Sequence, residues 1–172
     1  MDFQGIYDRL RAVDAPGLLG ADEPRAANPE DKKDKGRSGD PWLVVEREHW
    51  VDFLTVCRDE DKLAFDLLVD LTAADLSKDD EELWVVAQLL SVRKKHRLTV
   101  KTRLPKKEPV MPSAAPVYRA AQWHERECAE MFGITFNGHP DPRNMLLPDD
   151  WEGYPLRKDY EFPEEYHGIS CV

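Results

Sequence analysis

Two runs and the turn between them limit what this chain can fold into more than any other feature. Leu83 to Val92 (LWVVAQLLSV) is almost continuously apolar. His96 to Leu104 alternates, with Leu98, Val100, Thr102 and Leu104 pointing one way and Arg97, Thr99, Lys101 and Arg103 the other. A period of two belongs to a strand. The stretch Arg93-Lys94-Lys95-His96 is short enough to join the two as an antiparallel hairpin. The apolar run predicts a central strand covered on both faces, so a sheet with a substantial core is required.

Other elements gather around that hairpin. Phe65, Leu67, Val69 and Leu71 alternate with Asp66, Asp70 and Thr72, which predicts a half-buried strand with the four apolar residues on one face. Trp42-Leu43-Val44-Val45, introduced by Pro41, is a further short strand. Trp50, Phe53, Leu54 and Cys57 stand at helical spacing and predict a helix of about three turns, with Cys57 in the core. Phe3, Ile6, Tyr7, Leu10 and Val13 predict an N-terminal helix over residues 1–13, which Pro16 and Gly17 stop. Residues 14–40, mixing Pro, Gly, Asn and close-set opposite charges from Gly20 onward, are expected to be a flexible loop. A prolyl connection (Pro105, Pro109, Pro112, Pro116) leads to a helix predicted from near Ser113 to a cap at Gly133. Its apolar stripe would be Val117, Ala121, His124, Cys128 and Met131. Residues 41–132 thus form the main domain, and residues 133–172 an extended arm.

Composition narrows the function. A chain of 172 residues has room for one domain with a real core. With 34% charged residues and a mean hydropathy of -0.62, part of it should lie outside that core, and residues 14–40 and the tail are where. The net charge of -10 argues against nucleic acid as a partner. Eight Lys and Arg fall between Arg93 and Lys107 with no acid and no interleaved aromatic, which suits a solvated strand face or an acidic partner. Cys57, Cys128 and Cys171 are too few for a disulfide framework and imply a reducing compartment. No run approaches the roughly 20 apolar residues that span a bilayer, and no signal or transit peptide is expected, so any membrane association runs through partners.

The densest chemistry lies in WHERECAEMFGITFNGHPDPRNMLL, Trp123 to Leu147. Glu125, Arg126, Glu127 and Glu130 are bracketed by Trp123, Met131 and Phe132, residues that want burial, so the charged patch is expected to sit against another surface. HExxC at His124 and Cys128 stands one letter from a zinc signature and would need His139 as a third ligand. Cys128 falls on the apolar stripe, however, and the reading is packing, with a metal-dependent hydrolase using His124, Cys128 and His139 as the alternative. The carboxylates have no nucleophile beside them and are read as ion pairs across an interface. There is no phosphate loop, dinucleotide fingerprint or iron–sulfur spacing. The tail lacks periodicity, which excludes a further packed element of any length, yet it keeps Phe136, Trp151, Tyr154, Leu156, Tyr160, Phe162 and Tyr166. An arm that lays anchors on a partner has that composition.

From Glu125 onward the residues resemble a known signature. Glu125, Arg126, Glu127, Glu130, Met131, Phe132, His139, Arg143, Met145 and Leu146 fill each fixed position of the pattern of the 30-kDa subunit of respiratory complex I, the C-type subunit of bacteria and the J-type subunit of the chloroplast-type enzyme. LVDLTAAD (Leu68 to Asp75), LLSVRKKHRLTVK (Leu89 to Lys101) and GYPLRKDY (Gly153 to Tyr160) resemble the family too. The resemblance implies an α+β fold: a two-layer domain with a mixed, largely antiparallel sheet packed by helices, plus the extended C-terminal arm. It implies a structural subunit in the peripheral arm of a proton-translocating NADH:quinone oxidoreductase, on the cytoplasmic face of the inner or thylakoid membrane. The arm, through Trp151, Tyr154, Pro155, Leu156, Arg157, Lys158, Asp159 and Tyr160, would contact the 49-kDa (D-type) partner near the terminal iron–sulfur (B-type) partner. No cofactor is implied in this chain; FMN, iron–sulfur clusters and quinone would be carried by other subunits. Relatives in energy-converting hydrogenases and related membrane dehydrogenases share the signature and form the alternative.

Overall fold

The computed structural model describes residues 1–22, 39–76 and 81–170. Helix α1 (Phe3–Ala12) is capped by the Asp2 carboxylate, which accepts the Gly5 N–H at 2.9 Å. Strands β1 (Leu18–Asp22) and β2 (Trp42–Val45) precede a short 3-10 turn (Arg47–His49) and helix α2 (Trp50–Asp59). Then come β3 (Leu67–Ala74), β4 (Glu82–Ser91), β5 (His96–Pro105) and β6 (Val110–Pro112). Helix α3 (Ala121–Phe132), β7 (Thr135–Asn137) and a two-rung ladder of β8 (Glu165–Tyr166) with β9 (Ile169–Ser170) complete the chain.

Five strands form one sheet in the order β1-β2-β5-β4-β3. The predicted β4–β5 hairpin is its spine, paired from Glu82↔Pro105 to Ser91↔His96. Only β2 and β5 run parallel, so the sheet is mixed and largely antiparallel. One face carries Leu43, Val45, Leu71, Leu83, Val85, Leu89, Leu98, Val100 and Leu104, all buried in a single core with Ile6 and Leu10 of α1 and Trp50, Phe53, Leu54 and Cys57 of α2. Helices on one side of a mostly antiparallel sheet make the two-layer α+β arrangement. His96 is buried too: its Nε2 lies 2.7 Å from the Leu63 carbonyl, and its ring lies 4.8 Å from that of Phe65.

Several expectations change. β4 is not covered on both faces, because its inward residues are buried and Trp84, Val86 and Leu90 are only half-buried. The strand beside it explains why apolar residues are tolerated there. The Lys101 ammonium lies 3.2 Å from the Trp42 ring centroid and the Arg103 guanidinium 4.6 Å from that of Trp84, so long cationic side chains roof the rings. The aromatics missing from the basic stretch in sequence are thus supplied by neighbouring strands.

In β3 the predicted face is broken. A bulge between Leu68 and Asp70 resets the alternation, so that Leu68 and Leu71 point inward while Leu67 and Val69 are exposed. The segment expected as loop begins with β1, which pairs antiparallel with β2; the rest of that expectation, residues 23–38, lies outside the described residues. Helix α3 starts at Ala121 rather than near Ser113, because residues 114–120 are spent on turns in which Val117 and Tyr118 donate to the Ala114 carbonyl; before them β6 pairs in parallel with β7. That pairing also corrects the tail: Ile134 and Phe136 join the core, so the first residues after Gly133 are a packed element.

Candidate functional site

Helix α3 faces the core with Ala121, Glu125, Cys128 and Phe132. The spacing of four, three and four marks one stripe of the helix, and a carboxylate sits in the middle of it. Glu125 is wholly buried, with one oxygen 2.6 Å from the Ser113 hydroxyl and the other 2.6 Å from the Ala114 N–H. Both bonds tether the segment after β6 to the helix. Burial raises the Glu125 carboxyl to about 7, even though the Ser113 and Ala114 donors pull it down.

One turn further on, Glu130 performs the same task for the arm. Its carboxylate accepts the backbone N–H groups of Met145, Leu146 and Leu147 at 2.9 to 3.1 Å. Three successive N–H groups converging on an anion form a nest, here filled by the protein's own side chain. From one turn earlier on the same face, Arg126 donates to the Arg143 carbonyl at 2.8 Å and the Asn144 carbonyl at 2.9 Å. Residues 143–147 are therefore gripped on both their donors and their acceptors.

The helix end repeats the pattern. Gly133 caps α3 at φ 72°, a conformation natural to glycine. The Met131 carbonyl accepts the Leu156 N–H at 3.1 Å, and Arg157 donates to the Phe132 carbonyl at 2.6 Å. The arm's Lys158 N–H then reaches Asp75 at 2.9 Å, and Asp75 is also bridged by Lys106 at 2.7 Å in a buried ion pair. Burial alone would raise the Asp75 carboxyl, but the Lys106 and Lys158 bonds outweigh it and hold it below its ordinary value. Asp159 stands 3.9 Å from the same lysine.

His139 ties the start of the arm to α3 beside Glu125. Its Nδ1 accepts the Asp141 N–H at 3.0 Å, so the ring proton sits on Nε2, 3.0 Å from the Gln122 carbonyl and 3.9 Å from Glu125. Arg143 binds Asp141 through two bonds and keeps that carboxyl down at about 2. A cleft of about 430 Å³ opens between α3, β7 and the arm, lined among others by Glu125, Arg126, Phe136, His139, Trp151 and Tyr154.

The signature residues are thus brought together, but they turn inward. Glu125 and Glu130 bind backbone N–H groups and a hydroxyl of their own chain, where ion pairs across an interface were expected. Glu127 is exposed. Trp123, expected to be buried, is 62% exposed and stacks on Arg126 at 5.3 Å. His124, Cys128 and His139 do not converge: His124 faces Asp70 at 3.5 Å, the Cys128 thiol faces the Leu71 carbonyl at 3.7 Å, and His139 faces Gln122. Among the described residues, no three His, Cys, Asp or Glu side chains stand where they could hold a metal ion. In the arm, Tyr154 lies against Gly133, Tyr160 meets Phe162 edge-on, and Trp151 packs on Tyr166. Pro155 and Leu156 form the turn that meets the helix end. Sequence reasoning missed Ser113, Asp75, Lys106 and Asp141, whose roles depend on partners 12 to 83 residues away in all but the last case.

Fold and site define a small α+β domain that holds its own C-terminal arm against one helix. The chain belongs to the family of the 30-kDa subunit of respiratory-chain NADH dehydrogenase, which it matches over residues 43–166. It is 45% identical over 128 residues to the C-type subunit of the NADH-quinone oxidoreductase of Chlorobium phaeobacteroides, covering 74% of this chain and 76% of that protein. To the corresponding C-type subunit of Chloroherpeton thalassium it is 44% identical over 132 residues, 76% of this chain but about half (54%) of that longer protein. Among solved structures, the trypsin-resistant fragment of Nqo5 superposes with a TM-score of 0.54 at 26% identity, over 82% of this chain and 99% of the fragment. A chain of an archaeal membrane-bound sulfane sulfur reductase, a respiratory membrane complex, superposes with a TM-score of 0.69 at 27% identity, over 92% of this chain and 85% of its own. Among the described residues no helix is long and apolar enough to cross a membrane.

Proposed function

We propose that this chain is the structural C-type subunit of the peripheral arm of a proton-translocating NADH:quinone oxidoreductase, bracing the 49-kDa subunit and the terminal iron–sulfur subunit. It acts by shape, with no catalytic residues and no cofactor of its own; FMN, clusters and quinone belong to its companions. The family match over residues 43–166, which takes in the sheet from β2 on, α3 and nearly all of the arm, carries this reading. It would sit at the cytoplasmic face of its membrane, bound through those companions.

The geometry gives the role a physical form. The carboxylates of α3 work inward as clamps, and the helix and arm present apolar side chains outward: Trp123, Leu146, Leu156 and Phe162 are more than half exposed. Tryptophan and leucine presented on a pre-ordered backbone lose little entropy on docking. The signature group therefore acts on assembly through the arm it positions.

A tagged chain purified from solubilised membranes tests this. Co-purification of a 49-kDa-type and a cluster-bearing subunit with a bait free of metal is the expected result. A monomeric bait carrying one equivalent of zinc would overturn it. The resemblance to a chain of the archaeal sulfane sulfur reductase favours a second reading, an equivalent subunit in a related membrane reductase or energy-converting hydrogenase. The companion subunits, and whether one carries nickel–iron ligand cysteines, separate the two.

A further inference from the structure

The β4–β5 hairpin ends in a tip that takes no part in the helix–arm clamps. Val92, Arg93, Lys94 and Lys95 are all exposed, and the three cations are the only run of that length among the described residues. Other cations on β5 and just after it have acidic partners: Arg97 meets Asp40 at 2.9 Å, Arg103 meets Glu82 at 3.6 Å, and Lys106 is buried against Asp75. Arg93, Lys94 and Lys95 meet no carboxylate among the described residues. Asp66, the acid at the tip, accepts the Val92 backbone N–H at 2.9 Å instead.

The tip is firmly built. Lys94 donates its N–H to the Ser91 hydroxyl at 3.1 Å, Lys95 takes a left-handed φ of 54°, and the next residue is the buried His96. Beside it lies apolar surface. The β3 bulge turns Val69 outward, and Leu67, Val69 and Val92 are 42%, 49% and 59% exposed. They are neighbours through the ladder: Leu67 stands opposite Leu90, Leu90 opposite Arg97, and Val92 is bonded to Asp66. The result is an apolar patch at the start of the edge strand, rimmed by three unmatched cations, in a chain whose net charge is -10.

From this geometry we infer that the hairpin tip and the start of β3 form a second docking surface, taking an acidic face of a partner protein whose apolar residues meet Leu67, Val69 and Val92. Charge selects the occupant. An acidic partner is repelled by most of this molecule and attracted here, which fixes orientation as well as approach. A single-stranded nucleic acid would need aromatic platforms, which the patch lacks, and the net charge of -10 opposes a duplex. The surface lies apart from the helix–arm clamps and does not depend on which respiratory assembly the chain enters.

Amine footprinting decides the point. The free chain and the chain within the assembly purified from its membranes are acetylated side by side, and the assembly is also treated with a zero-length carbodiimide. Lys94 and Lys95 should react severalfold more slowly in the assembly, because a covered amine is shielded from the reagent, and carbodiimide should couple them to Asp or Glu of another polypeptide. The charge-reversed chain (Arg93→Glu, Lys94→Glu, Lys95→Glu) should keep its melting temperature yet leave the assembly at lower salt. Equal reactivity of the lysines in the two states overturns the inference without touching the variant. So does retention of the charge-reversed chain at unchanged salt, or protection that comes from anionic phospholipid vesicles in place of protein.

Discussion

The ring of Tyr154 lies against Gly133, so close that a Cβ on the glycine would stand 2.5 Å from Cε2 of the ring. The glycine thus does two things at once: it ends α3 in the left-handed conformation and leaves the space into which the arm packs. Gly133→Ala should cost about 1–3 kcal/mol, from backbone strain and steric overlap together. Denaturant unfolding should register the loss, and limited proteolysis should cut the arm after residue 133 faster than in the parent chain.

Glu130 holds three N–H groups of residues 145–147. Glu130→Ala leaves all three without their acceptor, for a loss of about 2–4 kcal/mol. Amide exchange at Met145, Leu146 and Leu147 should rise sharply while β4 and β5 stay protected. Uniform exchange across the domain would mean that Glu130 supports the whole fold and not the arm alone.

Glu125 gives the fold a pH dependence of unusual sign. Its folded carboxyl lies at about 7, raised by burial above the ordinary 4.5, so the native state binds a proton that the unfolded chain has released. Stability from this group is complete below about pH 4.5, falls as pH rises, and has levelled off above about pH 7, a change of roughly 3 kcal/mol. Unfolding free energies at pH 5 and pH 7.5 should show this fall in the parent chain and lose it in Glu125→Gln.

Lys106 and Asp75 are paired inside the domain, and Asp75 also holds the arm at Lys158. Lys106→Ala leaves a buried carboxylate without its cation and should cost about 3–5 kcal/mol. The double variant Lys106→Ala with Asp75→Ala should recover part of that loss, because the unmatched charge is then gone. A double variant no better than the single one would show the ion pair to be unimportant.

Trp123 and Arg126 separate folding from assembly. Trp123→Ala removes an exposed side chain and should change stability by less than about 0.5 kcal/mol while weakening co-purification with companion subunits. Arg126→Ala releases the carbonyls of Arg143 and Asn144, so it should loosen the arm first and assembly as a consequence. Exchange at residues 143–147 tells the two apart.

Periodicity and local chemistry determined much of this protein. The β4–β5 hairpin, the burial of Trp50, Phe53, Leu54 and Cys57 on α2, and the cap at Gly133 are read from neighbours a few residues apart, where spacing fixes which side chains share a face. The family, too, is legible, because its signature is contiguous. Tertiary structure alone decided the rest. A bulge in β3 turned Leu67 and Val69 away from the core while Leu71 stayed in it, since one extra residue shifts a period of two. Strand β7 formed inside a segment without periodicity because β6 offered it a ladder. The destination of each charge in the signature was settled the same way. A carboxylate on a helix can meet a partner, a metal or its own backbone, and Glu125 and Glu130 find N–H donors only because the fold carries residues 113–114 and 145–147 back to them.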